Sequence, residues 1–410
     1  MSSLPPLTGA MVTNQPPLTP REQIEQQLAV LQGASSSWMG GTSTLDYRSG
    51  QPGYDRLAMY SAQVEASGTL GPGVRTTFIV KPVLLDAGQA TGTDTIQQGT
   101  LPLTSTPYVQ SAAGVAGEFQ LQAANFGARI GSTPRGFLVQ NYTGGVSIHP
   151  VSAHFTLDFS RDPILDTQLS FAGLRDEGSV TPTFIGNTWG GVIANSAEVQ
   201  IHSGDALSGW YIQGGGQYLT GLHVANNERI DGDGGAYWTA WHSPQYGTLV
   251  AGTNFFGMHY ERNLRYFTYG QGGYFSPGAY LLAAVPLTFN GHYGAKFHYR
   301  VMGSLGMQAF QEDSAPYFPL DPVYQASQKN PMYPERTSVG GNYDLETEGS
   351  YSIADHWYVG AYANFNNSRD YASDKVGFFV RFLSRSQPMN EEIGPTGLFP
   401  IQGMRPLQTP

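Results

Sequence analysis

Several stretches of the chain hold residue types that do chemistry in other settings. Asp231, Gly232, Asp233 and Gly234 open like a calcium loop, where carboxylates on alternate residues wrap the ion. The twelfth position of such a loop needs a bidentate Glu, and here it is His242. The run therefore reads as a polar hairpin loop. Glycine runs at 214–216 and 270–273 lack the strand–loop–helix context that points backbone amides at a phosphate. The nine His are scattered, with no His-x-x-x-His on a helix to seat a metal. Ser, His and Asp all occur, but no Gly-x-Ser-x-Gly elbow presents a nucleophile. Cysteine is absent, which removes thiol catalysis, disulfides and Cys-ligated zinc or iron–sulfur centres. The expectation is no catalytic residue, no metal, no cofactor and no enzyme.

What the elements must position is instead a face. Val376, Phe378, Val380 and Phe382 alternate with Lys375, Gly377 and Arg381; Trp357, Val359 and Phe365 alternate with Tyr358, Tyr362 and Asn364. The same period of two runs through Tyr343–Ile353 against Asp344, Glu346 and Glu348. It recurs in Phe297–Val301 against His298 and Arg300, in Phe155–Phe159 against Asp158, and in Phe119–Ala123 against Glu118 and Gln120. Each such strand gives one side to something apolar and the other to water.

Sixteen strands follow: 36–47, 55–67, 73–86, 115–122, 126–132, 142–148, 154–161, 191–202, 209–218, 236–242, 249–262, 280–289, 295–311, 338–352, 357–366 and 375–383. Short turns fall near Gly71, Ala124, Pro150, Asp205, Pro244, Gly291 and Asp355. Long connections fall at 87–114, 162–190, 219–235, 263–279 and 312–337. An even strand count, with turns at one end and loops at the other, predicts an antiparallel transmembrane β-barrel. Composition agrees: glycine takes 52 of 410 positions, charged residues 13% against a usual ~25%, and aromatics 12%. The longest apolar run, Ala279 to Leu287, is far short of the ~20 residues of a spanning helix. A soluble sandwich does not need the loop asymmetry, and no propeller repeat is present. Net charge of −10 disfavours a nucleic-acid partner.

At the N-terminal side, residues 1–19 form a Pro-rich leader. Residues 20–33 form a helix with a capping box (Thr19, Glu22), an Ile24/Leu28/Leu31 stripe and Gly33 as stop. The barrel is expected over 34–384, with a Pro-rich tail at 385–410. No basic n-region and apolar core mark a signal peptide at the first residues.

Five strings in the long loops are distinctive: TPRGFLVQN at 133–141, SFAGLRD at 170–176, TWGGVIAN at 188–195, NLRYFTYGQGGYFSP at 263–277 and EDSAPYFP at 312–319. Together and in this order they resemble the C-terminal barrel of the cellulose synthase operon protein C family, over about residues 34–384. The resemblance implies a sixteen-stranded outer-membrane barrel with both termini periplasmic. It also implies export of a β-1,4-glucan chain received from the inner-membrane cellulose synthase complex, with outer-membrane lipid around the wall. The family carries periplasmic tetratricopeptide repeats before its barrel. The 20–33 helix would be the last piece of that connector, making this chain a fragment or a split gene product. A Pro-rich tail after Phe382 departs from barrels that end on their last aromatic residue.

On that reading Arg265, Tyr266, Phe267, Tyr274, Phe275, Asp313, Tyr317 and Phe318 build an exit constriction, the aromatics stacking on sugar rings. Asp344, Glu346, Arg300, Tyr358, Tyr362 and Arg381 line the lumen. Movement would be passive conduction driven by synthesis of the polymer, since no nucleotide site is visible. The competing classes are a general porin for small solutes and a soluble sugar-binding β-protein; the bland role of every residue named is packing or wetting of the wall.

Overall fold

The structure, a computed structural model, describes residues 36–385 except 72, 91–96, 100, 103–108, 151–153, 176–187, 206, 244, 295 and 369. The expected leader, the helix at 20–33 and most of the tail lie outside the described residues.

Sixteen strands form one closed antiparallel barrel. In chain order they are β1 (Trp38–Arg48), β2 (Leu57–Thr69), β3 (Val74–Gln89), β4 (Val109–Ala123), β5 (Phe126–Arg135), β6 (Tyr142–Ile148), β7 (Phe155–Pro163) and β8 (Thr188–Gly204). There follow β9 (Ser208–Leu222), β10 (Val224–Ser243), β11 (Gly247–Tyr260), β12 (Ala279–Tyr293), β13 (Phe297–Glu312), β14 (Arg336–Ala354), β15 (Trp357–Asn366) and β16 (Ser373–Leu383). Each pairs with its chain neighbours, and β1 closes on β16 from Trp38↔Leu383 to Arg48↔Ser373. Closure joins the first strand to the last, so the sheet has no free edge strand, which is what a bilayer demands. No described helix is long and apolar enough to cross a membrane.

The alternation seen in the sequence decides which face turns outward. Ile130, Phe159, Ile212, Ile230, Phe255, Leu305 and Phe378 are all exposed on the outer wall. Above and below this apolar band the outward residues become aromatic. Trp210, Trp238, Trp241, Tyr293 and Trp357 ring the end that carries β1's start and β16's finish. Tyr47, Tyr60, Tyr142 and Tyr218 ring the opposite end. Two aromatic girdles around an apolar belt are the outer surface of a barrel in lipid.

Connections at the terminus end are short (70–73, 124–125, 149–154, 205–207, 244–246, 294–296 and 355–356), and the long ones gather at the far end. One expectation fails here. Residues 219–235 are no loop: β9 and β10 run through them and turn at His223, whose φ is 49°. Asp231 to Gly234 therefore lie in the wall, not in a hairpin loop. Gly and Asp are turn signals in a flat sheet, but here glycine makes room between strands. A Cβ on Gly215 would stand 2.7 Å from the Glu198 side chain, and one on Gly235 only 2.4 Å from the Thr253 carbonyl.

Candidate functional site

The five distinctive strings, scattered along the sequence, meet at the far end of the barrel. The connection after β7 folds into α1 (Gln168–Ala172), capped by Thr167, whose Oγ1 accepts from Ser170 N at 3.1 Å. Five of its residues are fully buried, so this short helix is an inward plug and not a surface loop. Val139 N donates to Ala172 O at 3.0 Å, and Asn141 Nδ2 to Gly191 O at 3.0 Å, which joins the first three strings.

The connection between β11 and β12 then covers α1. It closes on itself: Gly272 and Gly273 amides donate to Leu264 O, and Leu264 N to Ser276 Oγ at 2.7 Å. Thr167 Oγ1 donates to Gly273 O at 2.8 Å, and Phe275 N to Asp166 Oδ2 at 3.0 Å, locking the two loops together. Arg48, at the rim of β1, holds Asp166 in turn through its carbonyl and, at 3.7 Å, its carboxylate. Residues 267–277 are buried without a break.

Each expected exit residue can now be placed. Phe267 packs edge-on to Tyr54 at 5.4 Å; Phe275 packs edge-on to Phe310 at 5.2 Å; both belong to one apolar core with Tyr274 and Phe318. Tyr274 keeps its hydroxyl satisfied by Asn227 Nδ2 at 3.1 Å, and burial raises its pKa far above the ordinary phenol value. Tyr266 and Tyr317 sandwich Tyr333, with ring centroids 3.5 and 4.1 Å away and planes within 20° of parallel. Arg265 donates to Glu312 at 2.8 Å and to Asp370 at 2.7 Å. Burial works against its charge, but those two carboxylates outweigh the burial and raise its pKa. Asp313 is exposed; it engages the loop through its carbonyl, which accepts from Asn263 Nδ2 at 2.8 Å.

The last string joins from β13. Gln271 Nε2 donates to Pro316 O at 2.7 Å, and Thr268 Oγ1 to Tyr317 O. A second short helix, α2 (Pro322–Ser327), packs Tyr324 against Phe318 at 4.7 Å.

The six expected lumen residues lie apart from this plug, on an arc of wall formed by β13 to β16. Arg300 pairs with Glu346 at 3.5 Å, Asp344 accepts from Asn364 Nδ2 at 2.7 Å, and Tyr362 bonds Thr44 at 2.5 Å. Arg381 donates to the buried Glu65 at 2.9 Å and lies 4.0 Å over the Trp38 ring. Tyr358 is buried beside Leu383 and Trp38, at the terminus end. Asp166, Tyr333 and Asp370 escaped sequence reasoning. Each lies between the wall strands, and nothing local marks partners that are remote in the chain: Arg48 for Asp166, Tyr266 for Tyr333 and Arg265 for Asp370.

A family model described as "Cellulose synthase operon protein C C-terminus" matches residues 55–385. Cellulose synthase operon protein C of Pseudomonas fluorescens is 30% identical over 356 residues, which are 84% of this chain and 27% of that protein. The Komagataeibacter xylinus protein of the same name is 33% identical over 302 residues, 68% of this chain and 22% of its own length. The chain thus spans about a quarter of the length of the curated relatives it matches. Among solved structures, a bacterial polysaccharide outer membrane secretin superposes with a TM-score of 0.51 at 10% identity, covering 86% of this chain and 99% of that one. That likeness carries the barrel architecture alone.

Proposed function

Because the chain belongs to the family of cellulose synthase operon protein C C-terminal barrels, we propose that it is the outer-membrane conduit through which a β-1,4-glucan leaves the cell. The terminus end faces the periplasm, where the longer relatives continue, and the plugged end faces outward. The wall takes no part in covalent chemistry. Its role is to bind weakly and let pass.

One observation carries this reading: five sequence-remote strings converge, through two apolar clusters and the bonds between them, at one end of a barrel wide enough for an aqueous channel. A pyranose presents axial C–H groups to aromatic faces and equatorial hydroxyls to polar groups. The arc from Arg300 to Arg381 offers both, with charges mostly neutralised in pairs, so a neutral chain meets no strong trap. Phe267, Tyr274, Phe275 and Phe318 close the exit at rest, and the Tyr266–Tyr333–Tyr317 stack with Arg265 holds the closure. Polymerisation in the inner-membrane synthase complex drives the chain against the plug, which yields; conduction is otherwise passive.

The test is deletion of residues 264–276, followed by measurement of glucan secretion and single-channel conductance. Conductance should rise from a closed baseline and secretion should change. If both stay as in the intact chain, the plug is not a gate. Liposome swelling in small sugars by the intact chain would instead favour a porin.

A further inference from the structure

Histidines gather at the terminus end of the barrel, and four of them form two cross-strand pairs. His202 of β8 stands opposite His154, just before β7; the backbone N of His202 donates to His154 O at 2.9 Å. Their ring centroids are 6.1 Å apart, with planes at 77°. His292 of β12 stands directly opposite His298 of β13, with centroids 5.9 Å apart and planes at 31°. In both pairs the adjacent residues (Ile201, Phe155, Tyr293) are exposed on the outer wall, so the imidazoles face the lumen.

The first pair has a further peculiarity. His202 Nδ1 is buried and has no hydrogen-bond partner among the described residues. A buried imidazole nitrogen left unpaired costs free energy, and a metal ion is one group that would satisfy it. Imidazole nitrogen binds Zn²⁺ at about 2.0–2.1 Å, which puts the ion about 3.2 Å from the ring centroid. Two rings on one tetrahedral ion then have centroids about 5.2 Å apart, and two rings on opposite sides of an ion about 6.4 Å apart. Both observed separations fall inside that range, so each pair has the ring spacing of a two-histidine chelate.

We propose that His154 and His202 chelate a divalent transition-metal ion at the lumen mouth, with water filling the remaining positions, and that His292 and His298 form a second such site. The ligand class is Zn²⁺, Ni²⁺ or Cu²⁺, for which imidazole is a suitable donor; Mg²⁺ and Ca²⁺ require oxygen ligands. The helical His-x-x-x-His spacing cannot reveal such sites, because the ligands come from paired strands.

The test uses the full chain, purified without a polyhistidine tag and stripped of metal. Calorimetric titration with Zn²⁺ should give two sites, with none for Mg²⁺. His202→Ala should leave one site, the other weakened at least ~10-fold, the lower figure for loss of an outer-shell partner alone. His202→Ala with His298→Ala should weaken both sites to that degree. The electron paramagnetic spectrum of bound Cu²⁺ should show two nitrogen couplings per ion, falling to one in each single variant at the altered site. Heat-modifiable gel migration checks that every variant remains a folded barrel. Absence of saturable Zn²⁺ binding in the intact chain would overturn the proposal. So would Zn²⁺ binding of unchanged affinity in the folded double variant, or a Cu²⁺ spectrum of the intact chain with a single nitrogen.

Discussion

Replacing Arg265 with Met should unlatch the plug while leaving the barrel folded. One guanidinium ties the loop between β11 and β12 to the end of β13 through Glu312, and to the turn before β16 through Asp370. The Glu312 side chain is 1% exposed, and its Oε1 has no hydrogen-bond partner among the described residues. Taking Arg265 away strips that carboxylate of its ion pair in a site water does not reach. Breaking a fully buried pair costs about 3–5 kcal/mol. Arg265 is itself 19% exposed, and Arg336 still faces Asp370, so the lower end, about 3 kcal/mol, applies.

This cost falls on the docked state of the loop alone. The ratio of open to closed channels should therefore rise by about two orders of magnitude. Planar-bilayer recording reads that ratio directly, and amide exchange over 264–276 reads the undocking independently. Pairing Arg265→Met with Glu312→Leu should return both readouts most of the way, since an apolar pair of similar volume avoids the stranded charge. An open ratio within threefold of the intact chain, with exchange unchanged, would refute the latch. A double variant as open as the single one would show that packing, and not charge, holds the loop.

Other consequences follow from the same geometry. Tyr333→Ala removes the middle ring of a three-ring stack and should raise channel opening in the same bilayer assay by at least tenfold, whereas Tyr333→Phe, losing only a 3.4 Å contact to Thr268, should change it little. Arg381→Ala leaves Glu65 buried without its cation and should lower barrel stability by about 3–5 kcal/mol in urea titrations; adding Glu65→Gln should recover most of that loss. Ile212→Arg puts a charge in the apolar outer belt and should cost about 2–4 kcal/mol in lipid. The same substitution would cost little if that wall met water, so unfolding in liposomes checks the membrane span.

The wall was legible in the sequence because a strand's two faces differ in solvent, and a difference of solvent writes a period of two into the residues. Phe378 and Arg381 could be assigned to opposite faces from the alternation in β16 alone. The reading failed where glycine serves two purposes. At 231–235 it permits strand approach in a curved sheet, yet in the sequence it looks like a turn. The plug was legible only as unusual strings. Arg265 and Asp370 are each a polar residue in a loop, and their pairing depends on closure of a barrel that brings the ends of β11, β13 and β15 to one place. His154 and His202 are hidden for the same reason: cross-strand register, unlike helical spacing, leaves no fixed interval in the chain.

The division between a periodic wall and an aperiodic plug has a mechanical meaning. Every strand bonds to two neighbours over much of its length, so the wall cannot open without breaking a ladder of hydrogen bonds. The plug is fastened differently. Side-chain bonds tie it to the wall and join its loops, among them Arg48 to Asp166, Asp166 to Phe275, Thr167 to Gly273, Gln271 to Pro316, and Arg265 to its two carboxylates, beside backbone bonds such as Ala225 N to Gly270 O and Tyr260 N to Pro277 O. Neutral bonds of this kind contribute about 0.5–1.5 kcal/mol each and charged ones about 1.5–3, and they act beside the apolar packing of the plug. Since none of these bonds belongs to the ladders between the sixteen strands, on the proposed reading their release would free the plug while the barrel wall stays paired.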